Sequence, residues 1–171
     1  CDFGHGLVDR EVMDILQEKA RYLVLNCQAN STNMGLNVIT KYHRADAFSL
    51  DQKELKLAFP EHVQEEKLSL QKLAGHLKGN GWLTRGAEGA YGISGQDIHE
   101  APAFTLSVKD TIGAGDAFLA MAGIFTAAGA SAEVGTFMGN IGGALGANIV
   151  GNKEAVEKVN VLKYASTLMN I

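Results

Sequence analysis

The stretch Asp110-Thr111-Ile112-Gly113-Ala114-Gly115-Asp116-Ala117-Phe118 sets a loop of small residues directly against a run, Gly115 to Ala128, that reads as a helix rich in Ala and Gly. At a helix start the backbone N–H groups have no intrahelical partner, and the peptide dipoles favour negative charge. Gly113 and Gly115 remove side chains that would keep a phosphate from those N–H groups. Asp116 falls in the first helical turn, beside the place where the anion would sit. A carboxylate there repels phosphate, so it does not serve to hold it. It suits a base that takes a proton from an attacking hydroxyl. The structural alternative uses the same residues differently: Asp110 or Thr111 caps the helix, glycine permits the turn, and Asp116 complements the dipole.

Outward from this stretch the chain alternates helical and strand-like segments. Asp9 to Ala20 carries Val12, Ile15 and Leu16 at helical spacing. Tyr22 to Leu25 reads as a short strand, and Gln28 to Asn37 as a polar, Asn-rich loop. Ala45 to Leu50 is the next strand. Asp51 then caps a helix through Phe59, with Glu54 at the third helical position, the arrangement of a capping box. Val63 to Leu77 is an amphipathic helix ended by Gly79, and Gly81 to Thr84 is a strand. Ala90 to Ser94 and Asp97 to Ala101 form a hairpin around Gly95-Gln96. Ala132 to Ile149 and Tyr164 to Met169 are further helices, the first with Gly139, Gly142, Gly143 and Gly146 for close packing. Trp82, Phe104, Phe125 and Phe137 are assigned to the core, and Glu61 to Lys67 to a solvated face. Alternating strands and helices predict an α/β layer fold with a mostly parallel sheet.

Composition narrows the function classes. With 171 residues the chain supports about one domain, and 46% hydrophobic residues at a net charge of −4 exclude a disordered chain. The acidic balance argues against a nucleic-acid-coating surface. Gly is 20 of 171 residues while Pro is only 2, against usual shares of ~7% and ~5%, which indicates close backbone approach inside regular structure. Two cysteines outside any C-x-x-C pair make no disulfide scaffold, and a reducing cytoplasmic setting is the simplest reading. The longest low-charge stretch, Ala117 to Ala130, is too short to span a bilayer, so no membrane association is expected. The absence of a starting Met implies that the chain was cut from something longer.

The nine-residue string resembles the second signature of the ribokinase-like (PfkB) family of carbohydrate kinases, D-T-x-G-A-G-D, and matches it completely. The resemblance implies a Rossmann-like, three-layer α/β/α ribokinase-type fold. It implies an anion hole from Gly113, Ala114 and Gly115, the Asp116 carboxylate as base on the acceptor hydroxyl, and a monovalent-cation site such as K⁺ near Asp110. Asp51 to Glu54 stands where the family has N-x-x-E, implying that Glu54 organises Mg²⁺ through water, with Asp51 in place of the usual Asn. Taken alone, Asp51 and Glu54 read as the capping box. Thr84-Arg85-Gly86-Ala87-Glu88-Gly89 resembles the family's T-x-G-x-x-G turn beside the nucleotide, placing Thr84, Gly86 and Gly89 there. Asn148 and Gly151 fall where the family's loop borders the adenine and the cation. Asp2-Phe3-Gly4-His5-Gly6 is similar to the D-Y-x-K-G of heptose-kinase-like members, with His5 in place of Lys.

The implied activity is ATP- and Mg²⁺-dependent phosphorylation of a sugar or sugar phosphate. Residues 1–171 correspond to the single C-terminal, nucleotide-binding portion of such a kinase, without the N-terminal half and its lid. Asn26 and Asn30, in the Asn-rich run after a strand end, are candidate substrate contacts, since amides pair with hydroxyls without adding charge. An Asx-turn-rich surface loop is the structural alternative. A second function class is a non-catalytic nucleotide- or sugar-binding regulatory module with a kinase fold, which an intact Asp116 disfavours. A dinucleotide-binding dehydrogenase is rejected, because the glycines lie late in the chain and Glu133 falls inside a helix. These residues alone are expected to fold, bind ATP–Mg²⁺ weakly, phosphorylate no sugar at a useful rate and self-associate through an exposed sheet edge.

Overall fold

The computed structural model describes residues 1–29, 33–104 and 108–170. The elements in chain order are α1 (Arg10–Lys19), β1 (Val24–Leu25), β2 (Ala47–Asp51), α2 (Gln52–Ala58), α3 (Glu66–Leu77), β3 (Asn80–Thr84), β4 (Ala90–Ser94), β5 (Asp97–Ala101), α4 (Ala114–Ala127), α5 (Ala132–Gly146) and α6 (Lys158–Met169). The five strands form one sheet in sequence order. β1–β2 and β2–β3 pair in parallel, the second pair joined by a crossover through α2 and α3, and the two-residue Gly95-Gln96 connection makes β4–β5 a hairpin. The sheet is therefore mixed. The chain separates into two compact units, Cys1–Thr84 with Tyr91–His99, and Arg85–Ala90 with Glu100–Ile171.

In the first unit the core gathers Phe48, Leu50, Leu55, Leu70, Leu73, Leu77, Leu83 and Ile93, all buried. β2 is buried along four of its five residues, which explains its near-continuous apolar run. Phe48 pairs in register with Gly81, and an added Cβ at Gly81 would lie 2.2 Å from the Phe48 ring, so the ring occupies the space of a missing side chain. α1 starts on Asp9, whose carboxylate accepts the Val12 N–H at 2.9 Å. α3 ends at Leu77 as expected but departs from expectation in its start and its capping residue. It begins at Glu66, after a 3₁₀ turn over Pro60–His62, and its left-handed cap is Lys78 at φ 59°, not Gly79. Gly79 serves another need: a Cβ there would sit 1.9 Å from the Ala45 carbonyl oxygen.

The Asn-rich run is not a surface loop throughout. Asn33 and Asn37 are buried. The Asn33 amide donates to the Phe3 carbonyl at 2.7 Å, and the Asn37 amide donates to the Asp2 carbonyl at 2.9 Å. Both side chains therefore tie down the segment Asp2–Gly4.

In the second unit α4 and α5 pack at close range. A Cβ at Gly139 would lie 2.7 Å from the Phe118 ring, and one at Gly142 would lie 2.7 Å from the Ala117 carbonyl oxygen. This is the close packing that the glycine spacing predicts. α5 ends at Gly146, three residues before the expected Ile149, because the chain tightens into i→i−3 bonds, Asn148 N–H to Leu145 and Ile149 N–H to Gly146. α6 is a full turn and more longer than expected, starting at Lys158. Val161 and Ala165, four apart, are its buried residues.

Candidate functional site

In the first unit the parallel strands bring several candidate residues to the carboxyl end of the sheet, the end at which open α/β sheets bind ligands. Asn26 follows β1, Asp51 ends β2 and Thr84 ends β3. Asp51 and Thr84 are direct partners in the β2–β3 register, and the Thr84 hydroxyl donates to the Leu50 carbonyl at 3.4 Å. Asn26 is buried, and its amide donates to the Ser49 carbonyl at 2.9 Å while its Oδ1 is buried without a partner. Asn30 lies outside the described residues.

Asp51 and Glu54 form the reciprocal capping box. The Glu54 N–H donates to Asp51 Oδ1 at 2.8 Å, and the Asp51 N–H donates to Glu54 Oε2 at 3.0 Å. Glu54 Oε1 turns the other way and accepts the Ala29 N–H at 3.3 Å. Burial, reinforced by the neighbouring Asp51 charge, pushes the Glu54 carboxyl up to about 7 against the opposing backbone hydrogen bonds. The capping reading and the metal reading are thus compatible. The cap uses one Glu54 oxygen and one Asp51 oxygen, and the crowded pair of carboxylates gains from any cation placed beside it.

In the second unit the Gly-Ala-Gly segment opens α4. Gly113 is the N-cap at φ 81°, a left-handed conformation that favours glycine. The first intrahelical bond runs from the Ala117 N–H to the Gly113 carbonyl at 2.9 Å, so the Gly115 and Asp116 N–H groups lie ahead of the helical ladder. The Ala114 N–H donates instead to the Thr111 carbonyl at 3.2 Å. Gly115 is different from Gly113: its φ is not positive, and a Cβ there would meet nothing within 4 Å. The turn itself does not demand glycine at that position. Asp116 is exposed in the first turn, at the expected place.

Asp110 closes this loop. Its Oδ1 accepts the Ile112 N–H at 2.9 Å and its Oδ2 accepts the Gly151 N–H at 2.9 Å. These bonds hold its carboxyl below the usual carboxylate range. The Ala147 carbonyl accepts from both Lys109 and Asp110, so the loop after α5 lies against the motif loop. Asn148 directs its amide back to the Ala144 carbonyl of its own helix at 2.9 Å. Gly86 and Gly89 form a tight turn, with the Gly89 N–H donating to the Gly86 carbonyl at 3.2 Å. A Cβ at Gly89 would lie 2.1 Å from the Ala101 carbonyl oxygen, so glycine is required there by packing.

The family model described as pfkB family carbohydrate kinase matches residues 12–159. The chain belongs to the pfkB family. Its fold is shared with solved family members. Ribokinase from Thermotoga maritima matches with a TM-score of 0.75 at 15% identity, over 90% of this chain and 52% of that protein. Phosphofructokinase-2 from Escherichia coli, in complex with potassium, matches with a TM-score of 0.73 at 16% identity, over 93% and 51%. Adenosine kinase from Sinorhizobium meliloti matches with a TM-score of 0.64 at 22% identity, over 75% and 39%. The chain thus spans about half, or less, of the length of these pfkB relatives. None of the curated proteins matches it. No described helix is long and apolar enough to cross a membrane.

What sequence reasoning missed within this pfkB chain is that Asp2 is bound by the 33–42 region, with Asn37, Lys41 and Tyr42 around it. Asp2 Oδ2 accepts the Tyr42 hydroxyl at 2.9 Å and pairs with Lys41 Nζ at 2.5 Å. The Asn-rich composition marked the right region, but nothing in the spacing shows that its partners lie 30 to 35 residues earlier in the chain.

Proposed function

We propose that the intact protein is an ATP-dependent carbohydrate kinase that uses Asp116 as its base and the Gly113-Ala114-Gly115 segment as its anion hole. The observation that carries this reading is the start of α4. There a left-handed Gly113, an unobstructed Gly115 and the exposed Asp116 carboxylate occupy one helical turn of a pfkB chain. The Gly115 and Asp116 N–H groups, ahead of the helical ladder, would donate to the oxygens of the transferring phosphoryl group. Asp116 would accept the proton from the sugar hydroxyl as that oxygen attacks phosphorus and the bond to the leaving diphosphate breaks.

Glu54 and Asp51 fit a role in organising Mg²⁺ through water, since the Glu54 carboxyl is desolvated by burial and repelled by the neighbouring Asp51 charge. Mg²⁺, when bound, would neutralise the phosphate charge during transfer. Asp110 fits a monovalent-cation loop in a limited way: each carboxylate oxygen already accepts one backbone N–H and keeps further acceptor capacity. The Thr84, Gly86 and Gly89 turn and the Gly151 loop are the proposed nucleotide contacts. The Asn148 amide donates one bond to Ala144 and keeps its Oδ1 and a second N–H for a nucleotide. The buried Oδ1 of Asn26 is the candidate acceptor for a substrate hydroxyl.

The test is Asp116→Asn in the intact protein. Nucleotide affinity should stay within a few-fold while kcat falls by ~10²–10⁴. A near-normal kcat would remove Asp116 from the mechanism, and absence of turnover in the unsubstituted intact protein would favour the regulatory-module reading.

A further inference from the structure

Asp2 is the only buried carboxylate among the described residues, at 3% exposure. An isolated buried carboxylate is costly, and this one is fully engaged. Oδ1 accepts the Gly4 N–H at 2.9 Å, and Oδ2 receives Tyr42 and Lys41. Lys41 also reaches Asn37 Oδ1 at 2.6 Å, and the Asn37 amide donates to the Asp2 carbonyl at 2.9 Å, which closes a ring of contacts. The ring grips one piece of backbone. The Asp2 N–H donates to the Asn26 carbonyl at 2.8 Å, and the Gln28 N–H donates back to the Asp2 carbonyl at 2.9 Å. The Asn37 amide reaches the Gln28 carbonyl as well, at 3.3 Å.

The gripped segment leads straight to Glu54. Ala29, the residue after Gln28, donates its N–H to Glu54 Oε1 at 3.3 Å. Hydrophobic residues of similar volume would hold this corner as stably as an ion pair does. What they would not supply is a fixed position for the Asn26–Ala29 backbone. We propose that Asp2, clamped by Lys41 and Tyr42, is a positioning residue that sets the Glu54 rotamer through the Asn26–Ala29 backbone and the Ala29 N–H, and so the geometry with which Glu54 organises the divalent cation. This rests on the reading of Glu54 given above.

The test is a double-mutant cycle on the intact protein, with Mn²⁺ as the probe ion and ADP as the nucleotide, read by water-proton relaxation and not by turnover. Asp2→Asn should weaken Mn²⁺ binding to the ADP complex ~10–100-fold, the range for partners that orient metal-site groups. Glu54→Gln should weaken it comparably. The double variant should bind as Glu54→Gln alone, because Asp2 acts only through Glu54. Tyr42→Phe deletes one hydroxyl and should give a several-fold loss, which carries the test if Asp2→Asn does not fold. Additive losses in the double variant, or Mn²⁺ affinity unchanged in both Asp2→Asn and Tyr42→Phe, would overturn the proposal. If Glu54→Gln itself leaves Mn²⁺ affinity unchanged, the role of Glu54 fails first and the proposal falls with it.

Discussion

The Asp110 carboxylate accepts the backbone N–H of Gly151 at 2.9 Å, joining two loops 41 residues apart in the chain. Its other oxygen holds Ile112, so one side chain fastens the loop ahead of α4 to the loop after α5. Asp110→Ala should speed amide exchange at both Ile112 and Gly151 and weaken nucleotide binding several-fold. Asp116→Asn should leave both amides as protected as before. Unchanged exchange at Gly151 in Asp110→Ala would show that the loops are held by other contacts.

Gly113 and Gly115 should respond differently to substitution. Gly113→Val forces a branched residue to φ 81° and should cost ~1–3 kcal/mol of stability. Gly115→Ala meets open space and should leave stability unchanged or raised by ~0.5–1 kcal/mol. ADP affinity should nonetheless fall about tenfold in Gly115→Ala, since the added methyl would point toward the phosphate oxygens. Paired calorimetry and urea unfolding separate the two effects. Unaltered ADP binding in Gly115→Ala would sink the anion-hole assignment.

At the end of α3 the neighbouring pair Lys78 and Gly79 should show opposite signs. Gly79→Ala drives a methyl into the Ala45 carbonyl and should destabilise the protein by ~2–4 kcal/mol. Lys78→Gly relieves a left-handed lysine at φ 59° and should stabilise by ~0.5–1 kcal/mol. Urea midpoints for the two variants provide the check; a midpoint for Gly79→Ala at the wild-type value would contradict the close approach.

Glu54 gives a pH dependence of defined sign. Burial raises its carboxyl from an ordinary 4.5 to about 7, so between those values the native state holds a proton that the unfolded chain has released. The stabilising contribution is complete below the unfolded value and is lost as pH rises through about 7. Relative to Glu54→Gln, the wild type should lose ~1–2 kcal/mol across this window, allowing for solvent screening of a half-buried group. The stability gap between the two proteins, followed by urea unfolding from pH 4.5 to 8, should therefore move in favour of the variant. A gap that is flat with pH would mean that Glu54 titrates normally.

Features whose partners lie within about four residues were legible in the sequence. The Asp51–Glu54 capping box, the Gly95-Gln96 hairpin and the start of α4 all formed where they were expected, because each depends on hydrogen bonds and backbone preferences local to the chain. The α/β class was legible for the same reason, since period and turn residues act locally. Tertiary structure alone decided the rest. It made Asp51 and Thr84 register partners, turned Asn33 and Asn37 inward to hold Asp2, and brought Gly151 onto Asp110. It also placed the left-handed cap on Lys78 and used Gly79 for the close approach to the Ala45 carbonyl. These contacts join residues that are distant along the chain, and which of them meet is set by how the buried strands and helices pack.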